Sequence, residues 1–254
     1  MVWHGGADAL EPAPDTRVVF VHGASVTVRT SNGDETEAGM GDVLLVRPGV
    51  GLLCEAPVGL LAYTVPTALP DAVPWAIRPD WDPLITDTPG GCAEEQDAYR
   101  RICLTWEQGN GPYVYRELNA HRVRMHDSFS HYHPADNGFD EMYLVQEVRP
   151  GGHIVVSSER ERIESPNDVT QEQASTLLTR LHPEVGDLVF IPRGVIHRGV
   201  GGVLAHVITV PGFRPGCEIG VDHHLRAIGE RFGMQPSNDG LTGQASASRG
   251  PIVK

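Results

Sequence analysis

His131-Tyr132-His133 and Gly186-Asp187-Leu188-Val189-Phe190-Ile191-Pro192-Arg193-Gly194-Val195-Ile196-His197 are the two stretches on which the reading of this chain turns. Side chains alternate along an extended strand, so histidines at i and i+2 share a face and can grip one metal ion. His197 can close the set from a distant strand. A carboxylate can come from Glu141, which opens the apolar run Met142-Tyr143-Leu144-Val145, with Asp136 and Asp140 as alternatives. Three neutral imidazoles and one carboxylate suit Fe(II), Mn(II), Ni(II), Zn(II) or Cu(II). A lone strand histidine is usually a surface or packed residue.

The second stretch has an echo earlier in the chain. Gly41-Asp42-Val43-Leu44-Leu45-Val46-Arg47-Pro48-Gly49 repeats Gly-Asp, four apolar residues, Pro and Gly, with one extra residue before Pro48. Val50-Gly51-Leu52-Leu53 follow it, and no histidine does. The expected organisation is therefore tandem. Residues 1–66 form a degenerate β unit without metal, 67–110 a linker and a helix, 111–215 the metal-binding unit, and 216–254 a C-terminal helix and a loose tail. The linker is read from the prolines between Pro66 and Pro89. The helix is placed over 93–107, where Ala98, Ile102 and Trp106 recur at spacing four behind Glu94 and Glu95. A second short helix is expected over 171–181, with Ala174, Leu177, Leu178 and Leu181 on one side. A third is capped by Asp222 and stopped by Gly233.

Composition narrows the function classes. The 254 residues carry 33 acidic against 20 basic side chains, a formal charge of −13, which argues against nucleic acid and anionic membrane surfaces as partners. No run of 18 apolar residues is present, so no membrane span is expected. Met1 to Gly6 shows no charged-then-apolar signal pattern, and the four cysteines are scattered, so a cytoplasmic location with reduced thiols is the expectation. The remaining partners are a small-molecule substrate and a second copy in a homodimer. Glycine (29) and proline (20) are abundant, as many short strands joined by turns require.

Strand parity nominates the lining of the site. Tyr143 stands two positions after Glu141 and shares its face, so its hydroxyl can orient a substrate or donate a proton; the alternative is a ring that fills the barrel. His206, on the apolar run Val203 to Val210, is either an acid/base group of the pocket or a packed histidine. Arg122, Arg124 and His126 share one face of their strand, against Val123 and Met125 on the other. Turned inward, the basic face would bind an anionic substrate; turned outward, it would be solvated.

These residues resemble the cupin superfamily. In its second motif, G-x5-P-x-G-x2-H-x3-N, Gly186, Pro192, Gly194 and His197 fall in place, and Gly201 stands where asparagine is usual. In the first motif His131 and His133 match. The family's spacing would put the carboxylate at Asn137 or Gly138, neither of which can ligate, so Pro134 to Asp140 reads as a lengthened hairpin turn that passes the role to Glu141. The resemblance implies an all-β chain of double-stranded β-helix (jelly-roll) type, a bicupin with two tandem units and a few peripheral helices, similar in layout to bicupins of the 5-deoxyglucuronate isomerase type. It further implies a metal-dependent enzyme acting on a small metabolite, foremost a non-haem Fe(II) oxygenase, with Mn(II), Ni(II) or Zn(II) compatible with the same donors. A metal-dependent isomerase, epimerase or lyase of a sugar acid or carbonyl substrate is the alternative, and a non-catalytic binding cupin is the third.

Overall fold

Short apolar runs punctuated by glycine and proline favour strands over helices, and strands dominate the computed structural model, which describes residues 1–88, 99–127, 129–234 and 253. The chain divides into two compact units, Met1–Thr86 with Arg101–Arg122, and Asp87–Arg100 with Val123–Lys254. The first holds β1 (Val2–Leu10), β2 (Thr16–His22), β3 (Val26–Thr30), β4 (Glu35–Ala38), β5 (Val43–Val46), β6 (Leu52–Val65) and β7 (Ala76–Ile77). They run in the order β4-β3-β6-β2-β5-β7, with β1 also paired to β6. Its core is aliphatic: Val19, Val21, Val28, Leu44, Val46, Leu52 and Leu60 are buried together.

β8 (Arg100–Leu104) and β9 (Asn119–Asp127) span the boundaries between the units. β8 corrects the expected helix over 93–107: Arg100 to Leu104 is extended, and Ile102, Cys103 and Leu104 are buried. The fourfold spacing of Ile102 and Trp106 gave way because a consecutive apolar run fits a strand buried on both faces. Residues 93–98 of that expectation lie outside the described residues, as does the expected tail except for Val253, which bridges to Ile219.

The second unit continues with β10 (His131–Tyr132), β11 (Asp140–Val148), β12 (His153–Ser157), α1 (Arg160–Ile163), α2 (Gln171–Ala174), β13 (Thr179–Leu181), β14 (Leu188–Ile191), β15 (Ile196–Val210), β16 (Ile219–Gly220) and α3 (Asp222–Arg231). The helix expected over 171–181 ends at Ala174, and Thr179 to Leu181 pairs with β12 instead. Thr170 and Gln173 close a capping box on α2, a stronger local signal than the leucine spacing. Asp222 is the first residue of α3 rather than its cap; its Oδ1 accepts from the Ser130 backbone N–H at 3.1 Å. One apolar face of the sheet lines the barrel through Val123, Met125, Tyr143, Val145, Ile154, Ala205 and Val207. The other packs under the helices through Tyr132, Ile163, Ala174, Leu177, Ile196, Leu225 and Ile228.

The Gly-Asp echo recurs in three dimensions, residue for residue and without a gap. Gly41 and Gly186 both take the left-handed region, with φ 95° and 99°, as do Gly49 (77°) and Gly194 (83°). Only glycine adopts such angles without strain. Asp42 accepts from the Gly39 N–H at 2.9 Å, and Asp187 from the Glu184 N–H at 2.8 Å. The Val21 N–H donates to Asp42 O at 2.9 Å, and that of Val145 to Asp187 O at 2.9 Å. Arg47-Pro48 and Pro192-Arg193 are simply transposed within the same turn.

Candidate metal centre

Four strand positions of the second unit converge on one point. His131 on β10 stands directly across from His197 on β15. Glu141 on β11 is paired on one side with Ile191 of β14 and on the other with Thr209 of β15. His133 lies just beyond β10, and its carbonyl accepts from the Gly194 N–H at 2.8 Å, tying the histidine pair to the turn that precedes His197. The segment between His133 and Glu141 is a tight loop in which Asn137 has φ 65°. A Cβ on Gly138 would come within 2.1 Å of Pro134 O, so this turn closes only over glycine. Asp136 is exposed in the loop. Asp140 accepts from the Arg193 N–H at 3.1 Å, on the face opposite Glu141.

Ligand-capable atoms of His131, His133, Glu141 and His197 all lie within 4.8 Å of one another, and all four residues are buried. No other such group occurs among the described residues. The tautomers follow from the backbone. His131 Nδ1 lies 2.9 Å from Phe129 O and His197 Nδ1 lies 3.1 Å from Val195 O, so each Nδ1–H donates outward and leaves the Nε2 lone pair facing inward. His133 is held by packing, its ring 3.9 Å from that of Phe139 centroid to centroid. Phe129 stacks on His131 at 4.5 Å.

The electrostatics keep the donors ready. Burial, reinforced by the two neighbouring imidazoles, holds His131 well below the ordinary histidine value. Burial also brings His133 down to about 4, although Glu141 opposes it. For Glu141, burial alone would raise the pKa, but contact with His197 and the charge of the three imidazoles override it and hold the carboxyl at about 2. His197 goes the other way: burial lowers it, and the adjacent Glu141 carboxylate lifts it above its ordinary value. Burial thus keeps His131 and His133 neutral beside an ionised Glu141, whose Oε2 lies 2.8 Å from His197 Nε2.

The residues fit a divalent metal on an observation independent of any motif. Nε2 of His133 and Nε2 of His197 are fully buried without a hydrogen-bond partner, although His197 Nε2 is 2.8 Å from Glu141 Oε2. Unsatisfied buried acceptors cost about 1–3 kcal/mol each, a penalty that a shared cation removes. Two donors bound at about 2.1 Å to one ion stand at most ~4.2 Å apart, so the cluster needs only a small contraction to close.

The other nominated residues separate into two groups. Tyr143 is buried beneath the cluster, and its hydroxyl donates to Glu141 Oε2 at 3.1 Å, so it both fills the barrel and orients the carboxylate. His206 is buried and pairs with Leu144, on the face opposite Ala205 and Val207, which line the barrel. The basic face of β9 also turns away from the barrel, because Val123 and Met125 occupy the interior. Arg122 pairs with Asp80, and Arg124 reaches Glu147 at 3.7 Å and lies over the Tyr99 ring. His126 shares their face. All three thus share the face opposite Val123 and Met125, which occupy the barrel interior.

Two residues enter that parity did not nominate. Glu218 Oε1 lies 3.8 Å from His131 Nε2, a second carboxylate beside the donors. It comes from the segment after the barrel and carries no motif signal. Thr209, across from Glu141, has a buried Oγ1 without a hydrogen-bond partner. Counting by twos from Val207 would have found it.

No family model and no curated protein matches this chain in sequence. Solved structures do match in shape. Vicilin from hazelnut (Corylus avellana) superposes with a TM-score of 0.50 at 8% identity, over 81% of this chain and 72% of its own. A mutant of oxalate decarboxylase OxdC from Bacillus subtilis gives 0.49 at 11% identity, over 90% and 71%. YhaK from Escherichia coli gives 0.43 at 13% identity, over 81% and 80%. The fold is that of the cupins, in two tandem units.

Proposed function

We propose that this chain, with its cupin fold as the premise, is a metal-dependent enzyme acting on a small metabolite, and that it works as a non-haem Fe(II) oxygenase. The observation that carries the metal is the convergence of three imidazoles and one carboxylate on a single buried point. Iron is favoured because a histidine and carboxylate set that leaves positions open is the donor type of non-haem Fe(II) oxygenases. When bound, Fe(II) would supply reactivity toward O2 and a Lewis acid for the substrate. The chain's own residues do the rest. Phe129 O and Val195 O fix two imidazole tautomers, Tyr143 aims the carboxylate, and Phe139 and Phe129 shield the rings from water. Glu218, beside His131, is placed to accept or return a proton at the reacting group.

The test is metal analysis of protein purified without added metal, followed by O2 consumption against candidate metabolites. One equivalent of iron and O2-dependent turnover are expected. Turnover that persists undiminished under anaerobic conditions would overturn the oxygenase reading and move the chain to metal-dependent isomerisation or lysis.

A further inference from the structure

The first unit holds an analogue of the metal centre with its charge supplied by a side chain. Glu141 sits between Ile191 and Thr209; the residue between Val46 and Thr64 in the first unit is Arg17. Val46 follows Gly41 as Ile191 follows Gly186, and Leu52 follows Gly49 as His197 follows Gly194. Leu52 faces Leu10 across the strands, as His197 faces His131. The four donor places are thus filled by Leu10, Pro12, Arg17 and Leu52: three apolar residues and one permanent cation.

Arg17 is only 8% exposed. Its Nη2 donates to Val50 O at 2.8 Å, while Nε is buried with no hydrogen-bond partner. No carboxylate pairs with it among the described residues, in a chain with 13 more acidic than basic side chains. A buried guanidinium without a counter-ion is expensive, and burial pulls its pKa below the ordinary arginine value. The group also faces open space. It lines a cleft of about 450 Å³ with Ala9, Leu10, Pro12, Ala62 and Thr64, and with His4 and Glu11. That volume suits one small ligand. The planar fork of arginine matches a carboxylate, and the aliphatic wall matches an apolar body.

We infer that the first unit binds a small organic carboxylate with an apolar body, its carboxylate on Arg17 and Thr64, at a site separate from the metal centre. Isothermal titration of the full-length protein with benzoate, its neutral isostere benzamide, and inorganic phosphate tests this. Benzoate should bind at one site, with benzamide and phosphate each weaker by about tenfold or more. Absence of benzoate binding, or equal binding of benzamide, removes the role of charge and overturns the inference; equal binding of phosphate overturns the carboxylate assignment. Arg17→Met should weaken benzoate about tenfold or more, and His197→Ala should leave it unchanged. The reverse pattern would place the anion on the metal centre and sink the proposal without touching the assignment of the metal ligands. Should Arg17→Met fail to fold by circular dichroism, Thr64→Phe decides instead, since Thr64 is exposed and its ring would fill the cleft. Loss of benzoate binding supports the site, and unchanged binding overturns it.

Discussion

Arg17 and Glu141 occupy the same node of two similar barrels and carry opposite charges. Around them the scaffolds agree: the Gly-Asp turns have matching angles and hydrogen bonds, and each feeds a long strand, β6 or β15. The chemistry differs because three further positions are histidine in one unit and leucine or proline in the other. The turn is needed to build the barrel; the donors are not. Fold and site are thus separable within a single chain.

The sharpest way to break this contrast is to remove a donor. His131→Ala or His197→Ala should lower metal affinity by more than about 100-fold while the circular dichroism spectrum stays β-rich; full metal occupancy in either variant would exclude that residue as a ligand. Glu141→Gln should weaken binding by ~10–100-fold, whereas Asp136→Asn in the exposed loop should leave it near the parent value, as read by competition with a chelator. Tyr143→Phe removes one hydrogen bond to Glu141 and should cost about tenfold or less in the same assay.

The metal-free protein should also lose stability on acidification, through the second unit. His131 and His133 sit below their ordinary value, so the unfolded chain takes up protons that the folded one refuses. Their contribution is intact above about 6.5 and is lost as pH falls toward about 4, the value of His133. His197, raised by Glu141, has the opposite sign and offsets part of this: its contribution is present below 6.5 and fades as pH rises through its higher folded value. His223 and His224 are also lowered by burial, so four histidines outweigh one, and the urea midpoint of the apoprotein should be lower at about pH 5 than at about pH 7. The smallest effect compares the turns: Gly49→Ala and Gly194→Ala each face open space at positive φ and should each cost about 1 kcal/mol, equally in both units.

Much of this was legible in the residues. The histidine pair, the Gly-Asp echo and the alternation of Val123 with Met125 rest on short-range periodicity, which strands obey. The helix expected over 93–107 failed at Arg100 to Leu104, where an apolar run fits either element and burial chose the strand. Position 206 was ambiguous because the left-handed Gly201 and Gly202 lie between His197 and His206, and strict alternation is not assured across such a break. Glu218 was invisible because nothing local marks a residue that reaches the site from outside the barrel.

By itself the sequence determined the all-β class, the tandem arrangement and the histidines that share a strand face, since each follows from a period of two or from a turn that glycine alone can make. Only the tertiary structure decided which carboxylate meets those histidines and that Arg17 stands where Glu141 does. Those are matters of register between strands far apart in the chain, fixed by cross-strand hydrogen bonds that no local pattern encodes.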